Sequence, residues 1–248
     1  MDTTRLAALT AAALVAGTAA AQDLTVVNEP WAGESTHAQM LANAFGGTFT
    51  SLGQVEGINA RAGQSNMVHT GFTNGSFTFS RIADTGDSGT ISLRDVSGDD
   101  STWGAGSYRA ETIGGFSSLS HDFGYMNSAG EFNTILQAGT SGLMNSIHPN
   151  EDFTWAIHTS NGREYTADAL LNQGGQDQMV SYAMYDATNR LIGAILFFED
   201  WHGSGSDYDY NDFAVMLTLA PTPQAALLGA LGLGGAGLMT GRRRRSLA

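Results

Sequence analysis

Residues 191–198 read LIGAILFF and residues 213–219 read FAVMLTL, and these two runs enclose the polar segment EDWHGSGSDYDYND at residues 199–212. Each run has the length of a strand and is almost wholly apolar, which is typical of strands buried on both faces. If the two strands pair as a hairpin, the polar segment forms the loop at its mouth. The sequence therefore predicts a buried β-hairpin that carries an acidic loop.

Alternating apolar and polar residues predict further strands outside this hairpin. Residues 77–80 and 91–94 alternate on either side of a Gly- and Asp-rich segment, which predicts that they form a second hairpin. Residues 153–158 also alternate and are followed by Asn161-Gly162, a dipeptide that tight hairpin turns prefer. Residues 180–184 continue the same period of two. Strand signals thus dominate most of the chain.

One helix is predicted near residue 35, with Ser35 as its N-cap and Gly46-Gly47 at its end. Its apolar face would consist of Met40, Leu41, Ala44 and Phe45. With 32 glycines, mostly between short alternating runs, the chain is predicted to be all-β, a β-sandwich or jelly-roll-like domain. The pattern of residues 98–142 indicates only long loops and short strands.

The first 21 residues have the pattern of a secretory signal peptide. Arg5 precedes an uncharged, Ala-rich run at residues 6–20, and the small residues Ala19, Ala20 and Ala21 provide a cleavage site for signal peptidase. The apolar run is shorter than the roughly 20 residues that a membrane-spanning helix needs. We therefore expect an exported protein.

Residues 220–248 form a second segment of distinct composition. Residues 225–239 carry no charge, the block Arg242, Arg243, Arg244 and Arg245 follows, and Pro221-Thr222-Pro223 precedes them. A helix over the uncharged part would be about 22 Å long, marginal for a bilayer core of about 30 Å. The arginines would stay cytoplasmic by the positive-inside rule. The segment is predicted to be a hydrophobic helix that anchors the chain in a membrane.

The order of proline motif, apolar helix and arginine cluster resembles the PEP-CTERM sorting signal, with Thr222 in the place of the usual glutamate. The resemblance implies that an exosortase-type membrane protease recognises the tail. The protein would then be anchored transiently and end at the cell surface or in the extracellular matrix. The alternative is an unprocessed tail anchor.

The mature region, residues 22–219, is predicted to be one domain with a strongly acidic balance. It carries 23 acidic residues, 6 arginines and no lysine, a formal charge of −17. Such a charge repels nucleic acid and anionic lipid and attracts cations. The chain has no cysteine, which excludes disulfides and thiolate metal sites.

Six oxygen-bearing side chains lie in the acidic loop: Glu199, Asp200, Asp207, Asp209, Asn211 and Asp212. Crowded carboxylates repel one another unless a cation neutralises them, and Ca²⁺ takes six to eight oxygen ligands in flexible geometry. The loop is not an EF-hand, because Asp212 stands where that motif requires glycine. We expect a Ca²⁺ site here; the alternative is a solvated acidic turn whose side chains bond their own backbone.

Residues 145–219 resemble a domain of unknown function found in bacterial surface proteins, through Phe198-Glu199-Asp200 and Asp209-Tyr210-Asn211-Asp212. The resemblance implies a β-sandwich module that binds calcium and has no known catalytic activity. The aromatic residues Trp201, Tyr208 and Tyr210 of the same loop are candidate contacts for an extracellular polysaccharide. The alternative is that Tyr208 and Tyr210 pack on the sheet.

Three short patterns raise the possibility of a secreted hydrolase. Asp84-Thr85-Gly86 copies the aspartic-protease triplet and residues 86–89 copy the segment around a serine nucleophile, but neither has its partner groups elsewhere in the sequence. The acidic residues Asp95, Asp99, Asp100, Glu151 and Asp152 could include a glycosidase pair, whose separation the sequence does not show. We expect no catalytic residues and a surface or matrix protein that is not an enzyme.

Overall fold

The computed structural model describes residues 24–57, 67–84, 89–138 and 144–220. Within these ranges the chain forms one α-helix and twelve strands. The helix is α1 (His37–Phe45). The strands are β1 (Thr50–Glu56), β2 (Met67–Thr73), β3 (Phe77–Arg81), β4 (Tyr108–Gly114), β5 (His121–Met126), β6 (Phe132–Leu136), β7 (Met144–Ile147), β8 (Thr154–Thr159), β9 (Glu164–Thr166), β10 (Met179–Asp186), β11 (Leu191–Phe198) and β12 (Phe213–Leu219).

The strands form two antiparallel sheets. The large sheet has the order β1-β2-β3-β10-β11-β12-β4-β7, and the small sheet has the order β6-β5-β8-β9. The all-β prediction with one short helix is confirmed. Because β10, β11 and β12 lie between β3 and β4, the module predicted over residues 145–219 shares its sheet with strands from the earlier part of the chain.

Two apolar layers lie on opposite faces of the large sheet. Leu196 and Phe198 of β11 pack with Phe123 and Trp155 of the small sheet in the core between the sheets. The aromatic rings of that core meet edge to face and by stacking, as large buried aromatics prefer. On the other face, Phe197 packs with residues of α1. Successive residues of β11 thus face different cores, which is why the whole strand is apolar.

Two of the three predicted hairpins are present. The strands β11 and β12 pair from Gly193 with Thr218 to Phe198 with Phe213, and β8 and β9 pair across the Asn161-Gly162 turn. The predicted hairpin between residues 77–80 and 91–94 is wrong, because β3 pairs with β2 and β10 instead. Alternation identifies a strand but not its partner, since cross-strand contacts come from residues distant in sequence.

The predicted helix is present, but its N-cap is Thr36 and not Ser35. The Thr36 side chain accepts a hydrogen bond from the Gln39 backbone N–H, and the Gln39 side chain accepts one from the Thr36 N–H, which is a capping box. The helix ends at Gly46 as predicted. Residues 98–138 contain β4, β5 and β6, which the sequence indicated only as short strands.

The predicted signal peptide, residues 1–21, and the sorting segment from Pro221 onward lie outside the described residues. Among the described residues, no helix is long and apolar enough to cross a bilayer. Ala220 is the last described residue, and its backbone N–H bonds to the Ser107 carbonyl.

Candidate metal centre

The acidic loop closes the end of the β11–β12 hairpin, directly after the pair formed by Phe198 and Phe213. Two of its residues that are not glycine, Tyr208 and Tyr210, have left-handed backbone conformations, with φ of 57° and 55°. This conformation is uncommon for residues other than Gly, Asn and Asp. The loop therefore holds a backbone that the rest of the structure must stabilise, as is frequent at binding sites.

The segment before α1 and the first residue of the helix stabilise this backbone. The Asn28 N–H donates to the Tyr208 carbonyl at 2.9 Å, and the Asn211 amide donates to the Ser35 carbonyl at 3.2 Å. A hydrogen bond of 3.1 Å joins His37 Nε2 to the Tyr210 carbonyl. These contacts span more than 170 residues of sequence and bring the turn before the helix onto the loop.

Glu34 enters the site from that turn. One carboxylate oxygen from each of Glu34, Asp207 and Asp209 lies within 4.8 Å of one from each of the others. The Asp209 carboxylate also accepts hydrogen bonds from the Asn211 backbone N–H at 3.1 Å and from the Asn211 amide at 2.6 Å. Asn211 thus orients Asp209, while Glu34 adds a carboxylate that is absent from the loop itself.

Glu199 lies in the interior beside these carboxylates. It is 1% exposed, and its Oε2 has no hydrogen-bond partner among the described residues. Burial, followed by the negative charge of Asp207, raises the pKa of Glu199 to about 8. An unpaired buried carboxyl oxygen costs free energy. Glu199 therefore has coordination capacity that the protein leaves unused.

The same two causes act on neighbouring acids. Burial and then the charge of Asp207 raise the pKa of Asp209 to about 7. Burial and then the charge of Glu199 raise the pKa of Asp212 to about 10. Burial also raises the pKa of Asp207. Without a cation, burial and like charges at this spacing therefore disfavour full ionisation of the group near neutral pH.

Asp200 differs from the other loop acids because it has protein donors. Its Oδ2 accepts from Ser117 and lies 2.7 Å from His121 Nε2. Burial acts to raise the pKa of Asp200, but the hydrogen bonds from His121 and Ser117 outweigh it and the pKa is lowered. The Asp200 backbone N–H donates to Asp212 Oδ2 at 2.8 Å, so Asp200 and Asp212 form the side of the loop nearest β5.

The three aromatic residues of the loop have different positions. Tyr210 is 1% exposed and its hydroxyl donates to the Asp177 carbonyl, so it belongs to the core under α1. The Tyr208 hydroxyl donates to Gln176. Trp201 is 39% exposed, and the Arg163 guanidinium lies 5.3 Å from its ring centre. Packing accounts for Tyr210, and Trp201 is the exposed aromatic of the three.

Sequence reasoning placed all six loop residues in one site and missed Glu34. The structure brings Asp207 and Asp209 to Glu34 and places Glu199 near Asp207 and Asp209. Asn211 orients Asp209, and Asp200 contacts His121. No local pattern identifies Glu34, because its position depends on the long-range contacts of the segment before α1. No family model, curated protein or solved structure matches this chain.

Proposed function

We propose that this chain is an exported cell-surface or extracellular-matrix protein whose acidic loop binds Ca²⁺. The observation that carries the calcium proposal is the group of Glu34, Asp207 and Asp209 oxygens within 4.8 Å of one another, beside the unpaired Oε2 of Glu199. Oxygens at this spacing can share one ion whose bonds to oxygen are about 2.3–2.6 Å long.

The chemistry of the donors favours calcium over other metals. All four acidic groups are hard oxygen ligands, which suit Ca²⁺, Mg²⁺ and Mn²⁺. Mg²⁺ demands near-ideal octahedral geometry and keeps several waters, whereas Ca²⁺ tolerates irregular sets of carboxylates. A divalent ion would neutralise the repulsion that, together with burial, raises the pKa values of Glu199 and Asp209. Its role would be to stabilise the junction between the loop and the segment before α1.

Thermal unfolding in metal-stripped buffer with added Ca²⁺ tests this proposal. A ligand that binds only the folded state must raise the melting temperature. We expect a rise for the wild type, and a smaller one for Asp209→Ala. Asp95→Asn, an exposed turn residue, is the control and should respond like the wild type. An unchanged melting temperature at millimolar Ca²⁺, or an equal rise in Asp209→Ala, would contradict the proposal.

Export and sorting form the second part of the proposal and rest on the sequence of the two ends. Signal peptidase would remove residues 1–21, and an exosortase-type protease would process the tail near Pro221-Thr222-Pro223. Intact-mass measurement of the native protein distinguishes this from an unprocessed tail anchor. Loss of the block Arg242–Arg245 supports sorting, and a mass that includes all four arginines contradicts it.

Polysaccharide binding is the alternative molecular function. Two features support it: Trp201 is partly exposed in the loop, and a cavity of about 270 Å³ adjoins Asp209. Its lining includes Asn28, His69, Phe72 and Tyr182. The volume is close to the lower limit of ordinary ligand pockets, about 300 Å³. Glycan-array binding that disappears on chelation and weakens in Trp201→Ala would favour this function; no binding to any glycan would exclude it.

A further inference from the structure

A second group of acidic side chains lies away from the loop, where the end of β3 meets the start of β10. Asp84 follows β3, Asp177 precedes β10, and Asp100 comes from the segment between β3 and β4. One carboxylate oxygen from each lies within 4.8 Å of one from each of the others. The three residues are 3%, 2% and 0% exposed, respectively, so solvent does not screen their charges.

Each carboxylate is held at one oxygen and unpaired at the other. Asp84 Oδ2 accepts hydrogen bonds from the Thr25 backbone N–H and from Arg81. Asp100 Oδ2 accepts one from the Ser181 hydroxyl. Asp177 Oδ1 accepts one from the Met179 backbone N–H. The second oxygens, Asp84 Oδ1, Asp100 Oδ1 and Asp177 Oδ2, have no partner in the part of the chain that the structure describes. Three buried carboxylate oxygens of one small group thus have no hydrogen-bond partner among the described residues.

A buried side chain outside the acidic group also points to a ligand. Thr25 is 3% exposed and its hydroxyl faces Asp84, yet Thr25 Oγ1 has no partner at ordinary hydrogen-bond distance among the described residues. A buried hydroxyl without a partner costs free energy, and such groups are rare in folded proteins. The hydroxyl oxygen is a further hard donor next to the three carboxylates.

Charge balance indicates the sign and size of the ligand. The three carboxylates carry three negative charges, and Arg81, which forms an ion pair with Asp84, supplies one positive charge. If the three carboxylates are all ionised, two negative charges lack compensation in the interior, where an unpaired charge is strongly unfavourable. A divalent cation would offset them.

We propose that Asp84, Asp100, Asp177 and the Thr25 hydroxyl form a second, buried Ca²⁺ site that joins the end of β3 to the start of β10. The donors are all oxygens, and neither histidine nor cysteine belongs to the set, which disfavours zinc and copper. The ion connects three chain segments that hydrogen bonds already bring together, since the Asp100 N–H donates to the Ala83 carbonyl and the Ile82 N–H to the Ser181 carbonyl. Its role is to stabilise the domain.

Native mass spectrometry of the folded domain, stripped of metal and then titrated with Ca²⁺ at pH 7, tests this site. We expect two ions per wild-type chain. Asp100→Asn and Asp177→Asn should each retain one ion, and Asp209→Asn should also retain one. Asp100→Asn combined with Asp209→Asn should bind none. Asp95→Asn should keep both.

The experiment can exclude either proposed site without excluding the other. A wild type that binds one ion, lost in Asp209→Asn and kept in Asp100→Asn and Asp177→Asn, would overturn the second site and leave the loop site intact. One ion that is lost in both Asp100→Asn and Asp177→Asn and kept in Asp209→Asn would overturn the loop site and leave the second site intact. If either asparagine variant fails to fold, hydrogen exchange of the wild type decides: the Asp100 and Ile82 amides should exchange more slowly with calcium, and unchanged protection there overturns the proposal.

Discussion

Glu199→Gln is the substitution that most directly measures the electrostatic cost of the empty loop. In the folded chain without metal, burial and the charge of Asp207 raise the pKa of Glu199 from 4.5 to about 8. Between these two pH values the unfolded chain has lost the proton and the folded chain has kept it. The folded state therefore loses stability as the pH rises through this window.

The magnitude follows from the size of the shift. Roughly three and a half pKa units at about 1.36 kcal/mol each amount to a loss on the order of 5 kcal/mol between pH 4.5 and pH 8. Glutamine is uncharged at every pH, so the variant lacks this loss. Without metal we expect it to match the wild type near pH 4.5 and to be more stable by several kcal/mol at pH 9.

Calcium should reduce that difference in stability. Ca²⁺ at a hundred times its dissociation constant stabilises a folded protein by about 2.7 kcal/mol, and the wild type has the full set of carboxylates to bind it. Glu199→Gln lacks one of them and should gain much less. Urea unfolding at pH 5, 7 and 9, in metal-stripped buffer and with Ca²⁺, measures both effects. The exposed Glu56→Gln serves as the control.

Two results would refute this reasoning. If Glu199→Gln and the wild type have the same dependence of unfolding free energy on pH without metal, the carboxyl is not protonated in the folded state. If the variant keeps the full stabilisation by calcium, Glu199 is not part of the ion's environment. A change in Glu56→Gln similar to that in Glu199→Gln would mean that overall charge, and not the loop, determines the effect.

Three further substitutions test the site and the fold. Glu34→Gln should weaken Ca²⁺ binding on the order of tenfold or more in a calcium titration, because loss of even an outer-shell partner lowers metal affinity by about tenfold. The exposed Glu29→Gln is the control and should bind Ca²⁺ like the wild type. Trp155→Ala should lower the free energy of unfolding, measured in urea, by about 3–5 kcal/mol, because Trp155 is fully buried between the sheets. Trp31 is 65% exposed, so Trp31→Ala should change the free energy of unfolding by less than about 0.5 kcal/mol. Thr36→Ala removes the helix N-cap and should cost about 1 kcal/mol; no loss of stability would mean that α1 does not need its cap.

The sequence pattern predicted those elements whose structure depends on interactions between neighbouring residues. The apolar runs at residues 191–198 and 213–219 predict β11 and β12 with their observed bounds, and Asn161-Gly162 predicts the β8–β9 turn. The capping box of α1 can also be recognised from residues three apart, although Thr36 and not Ser35 is the cap. In each case backbone sterics or neighbouring side chains determine the structure.

The sequence by itself determined that the chain is all-β and that six oxygen-bearing side chains share one loop, because period-two alternation and clustering are visible along the chain. Only the tertiary structure decided which strands are neighbours, and hence that β3 pairs with β10. It also brought Glu34 to Asp207 and Asp209, and Asp84 to Asp100 and Asp177. The reason is physical: these carboxylates are distant in sequence, and burial of the two apolar cores, not any local preference, places them together.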